Sequence, residues 1–308
     1  MDGGDRGSWS GAGGRWRVIL HGARPGAWNM AVDEAVLEAR ARDEAPATLR
    51  LYWWERPTVS LGRFQAAADV DLEACARAGV DVVRRPTGGR AVLHDAELTY
   101  SVVASVADGM PAAVAAGYRA LCGALVAAYR RLGVAAALTP RPRGRRSSAC
   151  YLQATCADVS LGDAKLCGSA QVRRGKVCLQ HGSLVVARDL ALEARLLRLD
   201  EEAAGRLGRG TATIRDALGR DVSREEVGRA LRGGMAQELG VVLREGALSP
   251  AEEERAAVLS RAATVVSQPP PDAGADGAGR PATAPDDRVV PLGYNVKRPS
   301  GGHVREGR

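Results

Sequence analysis

VDVVRRPTGGRAVLHDAELTYSVVAS, residues 80–105, is the stretch whose reading decides the fold class. VDVVRR, with its β-branched residues, reads as a strand, PTGGRAV as a glycine-rich loop, and ELTYSVVAS (97–105) as a second strand. No helix-length segment separates the two strands, so they do not form a βαβ crossover. Upstream, WRVIL (16–20), TLRLYWW (48–54) and TVSLG (58–62) also read as strands. NMAVDEAVLEARAR (29–42) places Met30, Val32, Ala35, Val36 and Ala39 at helical spacing, with an acidic side at Asp33 and Glu34. A short helix is expected over 69–78 and a longer one over 111–132.

Downstream, RPRGRRSS (141–148) reads as a basic loop. VSLGDAKLCGSAQ (159–171) and KVCLQHGSLVV (176–186) read as paired strands around a turn at Arg174 and Gly175. From Asp189 to about Ala263 the pattern is helical. Ser249-Pro250 followed by acidic residues is a helix start. Strands in short succession, then helices alone, predict an α+β domain. Its sheet should be mixed and largely antiparallel with packed helices, followed by a C-terminal helical extension. The expected boundaries are disorder over 1–14, a core domain over 15–190, a helical extension packed on it over 191–265, and a disordered tail over 266–308. The Gly/Ser-rich start and the Pro/Gly/Ala-rich end (QPPPDAGADGAGRPATAPDD) hold too few large apolar residues to fold.

Hydrophobic residues make up 45% of the 308, but aromatics only 4%, so the core is built from Val, Leu and Ala. No window carries the run of about 18 uncharged apolar residues that a membrane helix needs, and the N-terminus has no apolar signal segment. The six cysteines form no CxxC pair. They are expected to be free thiols in a reducing cytoplasm, and no ligand cluster suggests a metal. The net charge of +7 comes without a nucleic-acid motif, so it fits an acidic protein partner or an ordinary basic surface.

Two segments carry chemistry. In RRPTGGRAVLHD, Gly88 and Gly89 offer backbone N–H groups to a ligand, flanked by Arg84, Arg85 and Arg90, with His94 and Asp95 behind. In CYLQATCADVSLGDAKLCGSAQ, Cys150 stands fifteen positions before Lys165. A strand–turn–strand path can bring the two together, and an ammonium beside a thiol favours the nucleophilic thiolate. Gly168, Ser169 and Ala170 are small enough for a ligand chain to pass close to the backbone, or for close sheet packing. Cys156 is a second nucleophile candidate, whereas Cys167 and Cys178 sit in apolar strands and read as packing residues. His94 reads as a positioning contact or a general base, His181 as a structural histidine.

MAVDEA, LRLYWWERPTVSLGRFQ, RRPTGGRAVLHD, K-GSAQ and LQHGSL occur in this order. The set resembles the lipoate/biotin protein-ligase superfamily over about residues 16–190. With GGRAVLHD and SSAC it is most similar to its octanoyltransferases. The segment YLQATCADV after Cys150 departs from the aromatic and Pro-Ser-containing stretch usual there. The resemblance implies that superfamily's catalytic-domain fold and transfer of octanoate from acyl carrier protein to a lysine of the glycine cleavage H protein or another lipoyl-domain protein. It implies Cys150 as thioester nucleophile and Lys165 as its activating lysine. Arg84, Arg85, Gly88, Gly89, His94, Gly168, Ser169 and Ala170 would bind substrate. The basic segment before Cys150 would attract the acidic acyl carrier protein. No cofactor, metal, nucleic acid or membrane is called for. An ATP-dependent lipoate–protein ligase, with Lys165 holding an acyl-adenylate, and a cofactor-binding module without turnover are the alternatives.

Overall fold

The computed structural model describes residues 13–140, 149–152 and 157–266. Along the chain run β1 (Arg15–Arg24), α1 (Gly26–Ala41), β2 (Thr48–Trp54), β3 (Thr58–Leu61), α2 (Leu72–Arg77), β4 (Asp81–Arg84), β5 (Val92–His94) and β6 (Glu97–Ser105). Then come α3 (Val114–Arg131), β7 (Ala137–Leu138), β8 (Val159–Leu161), β9 (Ala164–Arg174) and β10 (Val177–Val185). Last are α4 (Leu190–Leu196), α5 (Glu201–Gly210), α6 (Ile214–Leu218), α7 (Arg224–Leu239), β11 (Val242–Glu245), α8 (Pro250–Ala263) and β12 (Thr264–Val266).

The large sheet has the order β11-β1-β2-β6-β10-β9-β8-β7. Its β11–β1 and β1–β2 pairs are parallel and the rest antiparallel. A smaller sheet, β12-β4-β3-β5, is mixed in the same way. The α+β class with a mixed, largely antiparallel sheet is therefore what forms.

Helices cover both faces of the large sheet, which explains why β6 and β10 are buried along their whole length. On one face, Leu121, Leu125 and Tyr129 of α3 and Leu231 and Met235 of α7 pack on Val18, Leu49 and Val102. On the other, Ala31, Val32 and Val36 of α1 and Ala256 of α8 pack on Val103, Val177 and Leu179. The small sheet has its own core, in which Val59, Leu61 and Val82 meet Cys75 of α2 and Leu196 of α4.

Local chemistry sets the helix starts. Asp71, Asp189 and Asp200 each accept the backbone N–H three residues on, at 2.8, 2.9 and 2.7 Å. Such a cap contributes about 1 kcal/mol. Ser249 does the same for α8, with Glu252 returning the bond to its N–H and Pro250 in the first turn.

Several elements differ from the sequence reading. VSLGDAKLCGSAQ is not one strand: it is a hairpin, β8 turning at Gly162 and Asp163 into β9. The β9–β10 turn falls on Gly175 and Lys176, with Gly175 at φ +58°. The stretch after Asp189 is interrupted by β11, which extends the large sheet from its β1 edge. Asp33 is not on an acidic surface but wholly buried.

The disorder expected at the two ends, the basic segment 141–148 and Cys156 lie outside the described residues, apart from three positions at the ends. Of these, Gly13 donates its N–H to Gly240 O at 2.7 Å, and Val266 belongs to β12. Among the described residues no helix is long and apolar enough to cross a membrane.

Candidate active site

Strands β9 and β10 and the small sheet line a narrow cleft. Met30, Tyr52, Trp54 and Val92 supply its apolar wall, and Ser60, His94, Thr99, His181 and Ser183 its polar wall. Cys150, Arg85, Gly168, Ser169 and Ala170 complete the lining. Gly182 keeps the wall narrow. A Cβ there would fall 2.5 Å from Gly168 O and 2.6 Å from Ser169 Oγ.

Two buried carboxylate–histidine–hydroxyl chains support the polar wall. In the first, Asp33 Oδ2 faces Nδ1 of His181 at 3.0 Å, and His181 Nε2 lies 2.7 Å from Thr87 Oγ1. Asp33 also accepts from Arg50 Nη1 at 2.8 Å, Ser101 Oγ at 2.7 Å and Tyr52 OH at 3.0 Å. Burial alone would raise the Asp33 carboxyl pKa. The His181 hydrogen bond and the Arg50 guanidinium outweigh it and hold the group below its usual range. Burial holds His181 below the usual imidazole value, the charge of Asp33 notwithstanding.

In the second chain, Glu97 Oε1 lies 2.7 Å from His94 Nδ1, and His94 Nε2 lies 2.7 Å from Ser60 Oγ. Trp54 stacks on the His94 ring at 4.1 Å between centroids and donates its indole N–H to Thr99 Oγ1.

The glycine-rich loop is built on arginine. Arg85 is buried, and its guanidinium donates to the carbonyls of Ser60, Gly88 and Arg90 at 2.8, 2.8 and 2.7 Å. Arg84 donates to the carbonyls of Gly62 and Gln65 at 2.8 and 2.7 Å. Gly89 takes φ +94°, a conformation favourable only to glycine, and its carbonyl presses on Gly62. A Cβ on Gly62 would sit 2.1 Å from Gly89 O.

Cys150 is half-buried in the cleft, its N–H bonded to Ala91 O at 3.0 Å. The next residue, Tyr151, is buried and accepts the Gly168 N–H on its hydroxyl at 3.2 Å. The Arg188 guanidinium lies 3.8 Å from the Tyr151 ring centroid, and the Lys165 ammonium lies 5.4 Å from it. Lys165, on β9, is 4% exposed and pairs with Asp158 Oδ2 at 3.0 Å, while Tyr118 OH donates to the other Asp158 oxygen. Burial pulls the Lys165 pKa down. The negative charges of a Cys150 thiolate and of Asp158 outweigh it and raise the ammonium above its ordinary value.

The other described cysteines are buried. Their thiols are pushed up by burial, Cys75 to about 11, Cys167 and Cys178 to about 12, and Cys122 well above its ordinary value.

Of the residues singled out in the sequence, Cys150, Arg85, His94, Gly168, Ser169 and Ala170 meet on one cleft. Arg84, Gly88 and Gly89 form the loop beside it, and Lys165 stands behind Tyr151, off the cleft wall. Sequence reasoning passed over Asp33, Arg50, Thr87, Tyr151 and Asp158. Tyr151 alone gave a local signal, an aromatic next to the candidate nucleophile. The others are joined only by tertiary contacts.

The lipoyl protein ligase A/B catalytic-domain model matches residues 25–236. Octanoyltransferase LipM of Symbiobacterium thermophilum is 42% identical over 260 residues, spanning 80% of this chain and 94% of that one. Octanoyltransferase LipM of Kyrpidia tusciae is 43% identical over 258 residues, spanning 79% and 94%. The crystal structure of lipoate-protein ligase A bound with ATP is 30% identical with a TM-score of 0.65, covering 81% of this chain and 94% of that one.

Proposed function

Because the chain belongs to the lipoyl protein ligase A/B catalytic-domain family, we propose that it is an octanoyltransferase of lipoate biosynthesis that works through a thioester on Cys150. It is an acyltransferase, like the relatives aligned with four-fifths of its length. The observation that carries the thioester reading is the placement of Cys150. Among the described residues it is the one cysteine on the cleft, while the others are buried and held protonated.

In the first step the Cys150 thiolate attacks the carbonyl carbon of octanoyl-acyl carrier protein. The carrier's thiolate leaves and takes up a proton. Thioester is exchanged for thioester, so no ATP is needed. The buried Lys165 ammonium stabilises the thiolate before attack. The Gly168 N–H already donates to Tyr151, which leaves the amides near Gly88 and Gly89, or those of Ser169 and Ala170, for the oxyanion. The apolar wall of Met30, Tyr52, Trp54 and Val92 is the surface an acyl chain would lie against.

In the second step a lysine amine of the glycine cleavage H protein, or of another lipoyl-domain acceptor, attacks the acyl-enzyme and expels the Cys150 thiolate. That lysine has an ordinary pKa of about 10.4, so a base must take its proton. His94 and His181 are the imidazoles on the cleft wall. The amide product is more stable than the thioester, which drives the transfer forward.

The test is intact-mass spectrometry after incubation with octanoyl-acyl carrier protein. A hydroxylamine-sensitive octanoyl adduct on wild type, absent from Cys150→Ser, is the expected result. An adduct lost only in Cys156→Ser would move the nucleophile six residues on. No adduct, with ATP-dependent use of free lipoate, would place the chain with the ligases.

A further inference from the structure

Phe64 is the only phenylalanine of the chain, and it is 89% exposed. A lone exposed apolar side chain needs no explanation by itself. The knuckle that presents it does. Arg84 ties down the carbonyls on both sides, Gly62 O at 2.8 Å and Gln65 O at 2.7 Å. The Gln65 N–H bonds to Gly62 O at 3.0 Å, closing a tight turn. The Arg63 N–H bonds to Thr87 O at 2.8 Å, and Gly62 abuts Gly89, so the knuckle is seated on the glycine-rich loop. Phe64 is therefore held out on a braced turn that rests on the glycine-rich loop, four residues beyond Ser60 of the cleft wall.

A positive charge lies against it. The Arg63 guanidinium lies 5.7 Å from the Phe64 ring centroid and is itself exposed. Arg90, on the adjoining loop, is half-exposed with Asp69 as a loose partner at 3.8 Å. A braced aromatic with an exposed arginine against it has the composition of an interface anchor.

We infer that Phe64 and Arg63 form the docking surface for the protein that accepts the acyl group, a domain with acidic surface beside its target lysine. The choice of the acceptor over the donor follows from reach, and it rests on the thioester reading above. An acyl carrier protein delivers its thioester on a long flexible prosthetic arm, so its body need not touch the surface beside the cleft. An acceptor lysine has only its own four methylenes. For its amine to reach a thioester inside the cleft, the acceptor's body must press against the elements around it, and the braced turn seated on the glycine-rich loop is one of them.

The experiment compares wild type with Phe64→Ala and Phe64→Tyr, using an unmodified lipoyl domain as probe. Calorimetry should show the affinity for the domain weakened by roughly tenfold or more in Phe64→Ala and largely restored in Phe64→Tyr. Loading of Cys150 from the small donor octanoyl-N-acetylcysteamine should be unchanged, as should discharge to N-acetyl-lysine methylamide. Transfer to the lipoyl domain should slow about as much as the affinity falls. Unchanged affinity for the domain overturns the inference. So does slowing confined to loading from octanoyl-acyl carrier protein, which would make this the donor's surface. So does a self-association of wild type that Phe64→Ala abolishes, which would make it a contact between copies. Failure of wild type to load Cys150 at all would remove the thioester reading, while the calorimetry still decides whether Phe64 docks the domain.

Discussion

The Nδ1 atom of His181, on β10, lies 3.0 Å from Oδ2 of Asp33, on α1, with both side chains out of solvent. The contact fixes the imidazole. Its Nδ1–H donates to the carboxylate, leaving Nε2 as acceptor for the Thr87 hydroxyl at 2.7 Å. Thr87 immediately precedes Gly88 and Gly89, so a helix on one face of the sheet helps hold the glycine-rich loop beside the cleft.

The same cluster makes stability depend on pH. His21 Nδ1 accepts a hydrogen bond from Arg50 Nε at 2.9 Å, which requires the ring to be unprotonated there. Burial first, then the charges of Arg50 and Arg24, lower its pKa from 6.5 to about 4. The folded value is depressed, so this contribution is fully present above pH 6.5 and is lost as pH falls toward about 4. His181, also depressed, acts with the same sign. The urea midpoint should therefore fall between about pH 7 and about pH 5, and fall less in His21→Gln. Equal declines in both proteins would refute the assignment.

Lys165→Ala should do two separable things. It removes one partner of a buried ion pair, in which Asp158 is 2% exposed. The expected loss of stability is on the order of 3–5 kcal/mol. If its charge activates Cys150 as proposed, iodoacetamide labelling of Cys150 at neutral pH should also slow. Lys165→Arg keeps the charge and should retain labelling better than it retains turnover. Labelling that is unaltered in Lys165→Ala, in protein still folded by circular dichroism, would show that the lysine does not activate the thiol.

Gly62→Ala is a probe of the glycine-rich loop. The added methyl would lie 2.1 Å from Gly89 O and 2.9 Å from its carbonyl carbon, so the loop must move. Overpacking of this kind costs about 1–3 kcal/mol. If the Gly88 and Gly89 amides hold the oxyanion, the single-turnover loading rate should fall by about a hundredfold or more. A melting temperature that drops while loading stays at the wild-type rate would exclude that role.

Truncation should discriminate between neighbouring cut sites. Residues 267–308 are rich in Pro, Gly and Ala, and no catalytic residue is placed there. Ending the chain after Val266 should leave octanoyl transfer within about twofold of full length. Ending it after Ala263 removes β12, which pairs with β4, and should lower the melting temperature. A large loss of transfer on the first cut would give the tail a part in substrate binding.

Strands with a long apolar or β-branched run were legible from sequence. TLRLYWW and ELTYSVVAS coincide with β2 and β6 residue for residue. β11 was not, because Val242–Glu245 is short and mostly exposed and exists through its parallel pairing with β1, over two hundred residues away. The β8–β9 turn was missed although Gly162-Asp163 is turn chemistry, because β8 is only three residues long and reads as part of its neighbour. Cys150 and the glycine-rich loop were legible because their chemistry is concentrated in local motifs. Asp33 was not. Beside Glu34 on a helix it has the pattern of a solvated face, and only Arg50, Tyr52, Ser101 and His181, from other strands, turn it into a buried anchor.

The partnership of β1 with β11 has a consequence for biosynthesis. Arg15–Val18 pair with Val242–Glu245, and Arg17 forms an ion pair with Glu252 at 2.6 Å. On the ribosome, the first strand to emerge must wait for nearly the last before its outer edge is covered. At translation speeds of about 5–20 residues per second, that leaves an open strand edge on the nascent chain for roughly ten seconds or more. An uncovered edge of this sort is a template for mispairing, so this is the interval in which a growing chain would benefit from a chaperone.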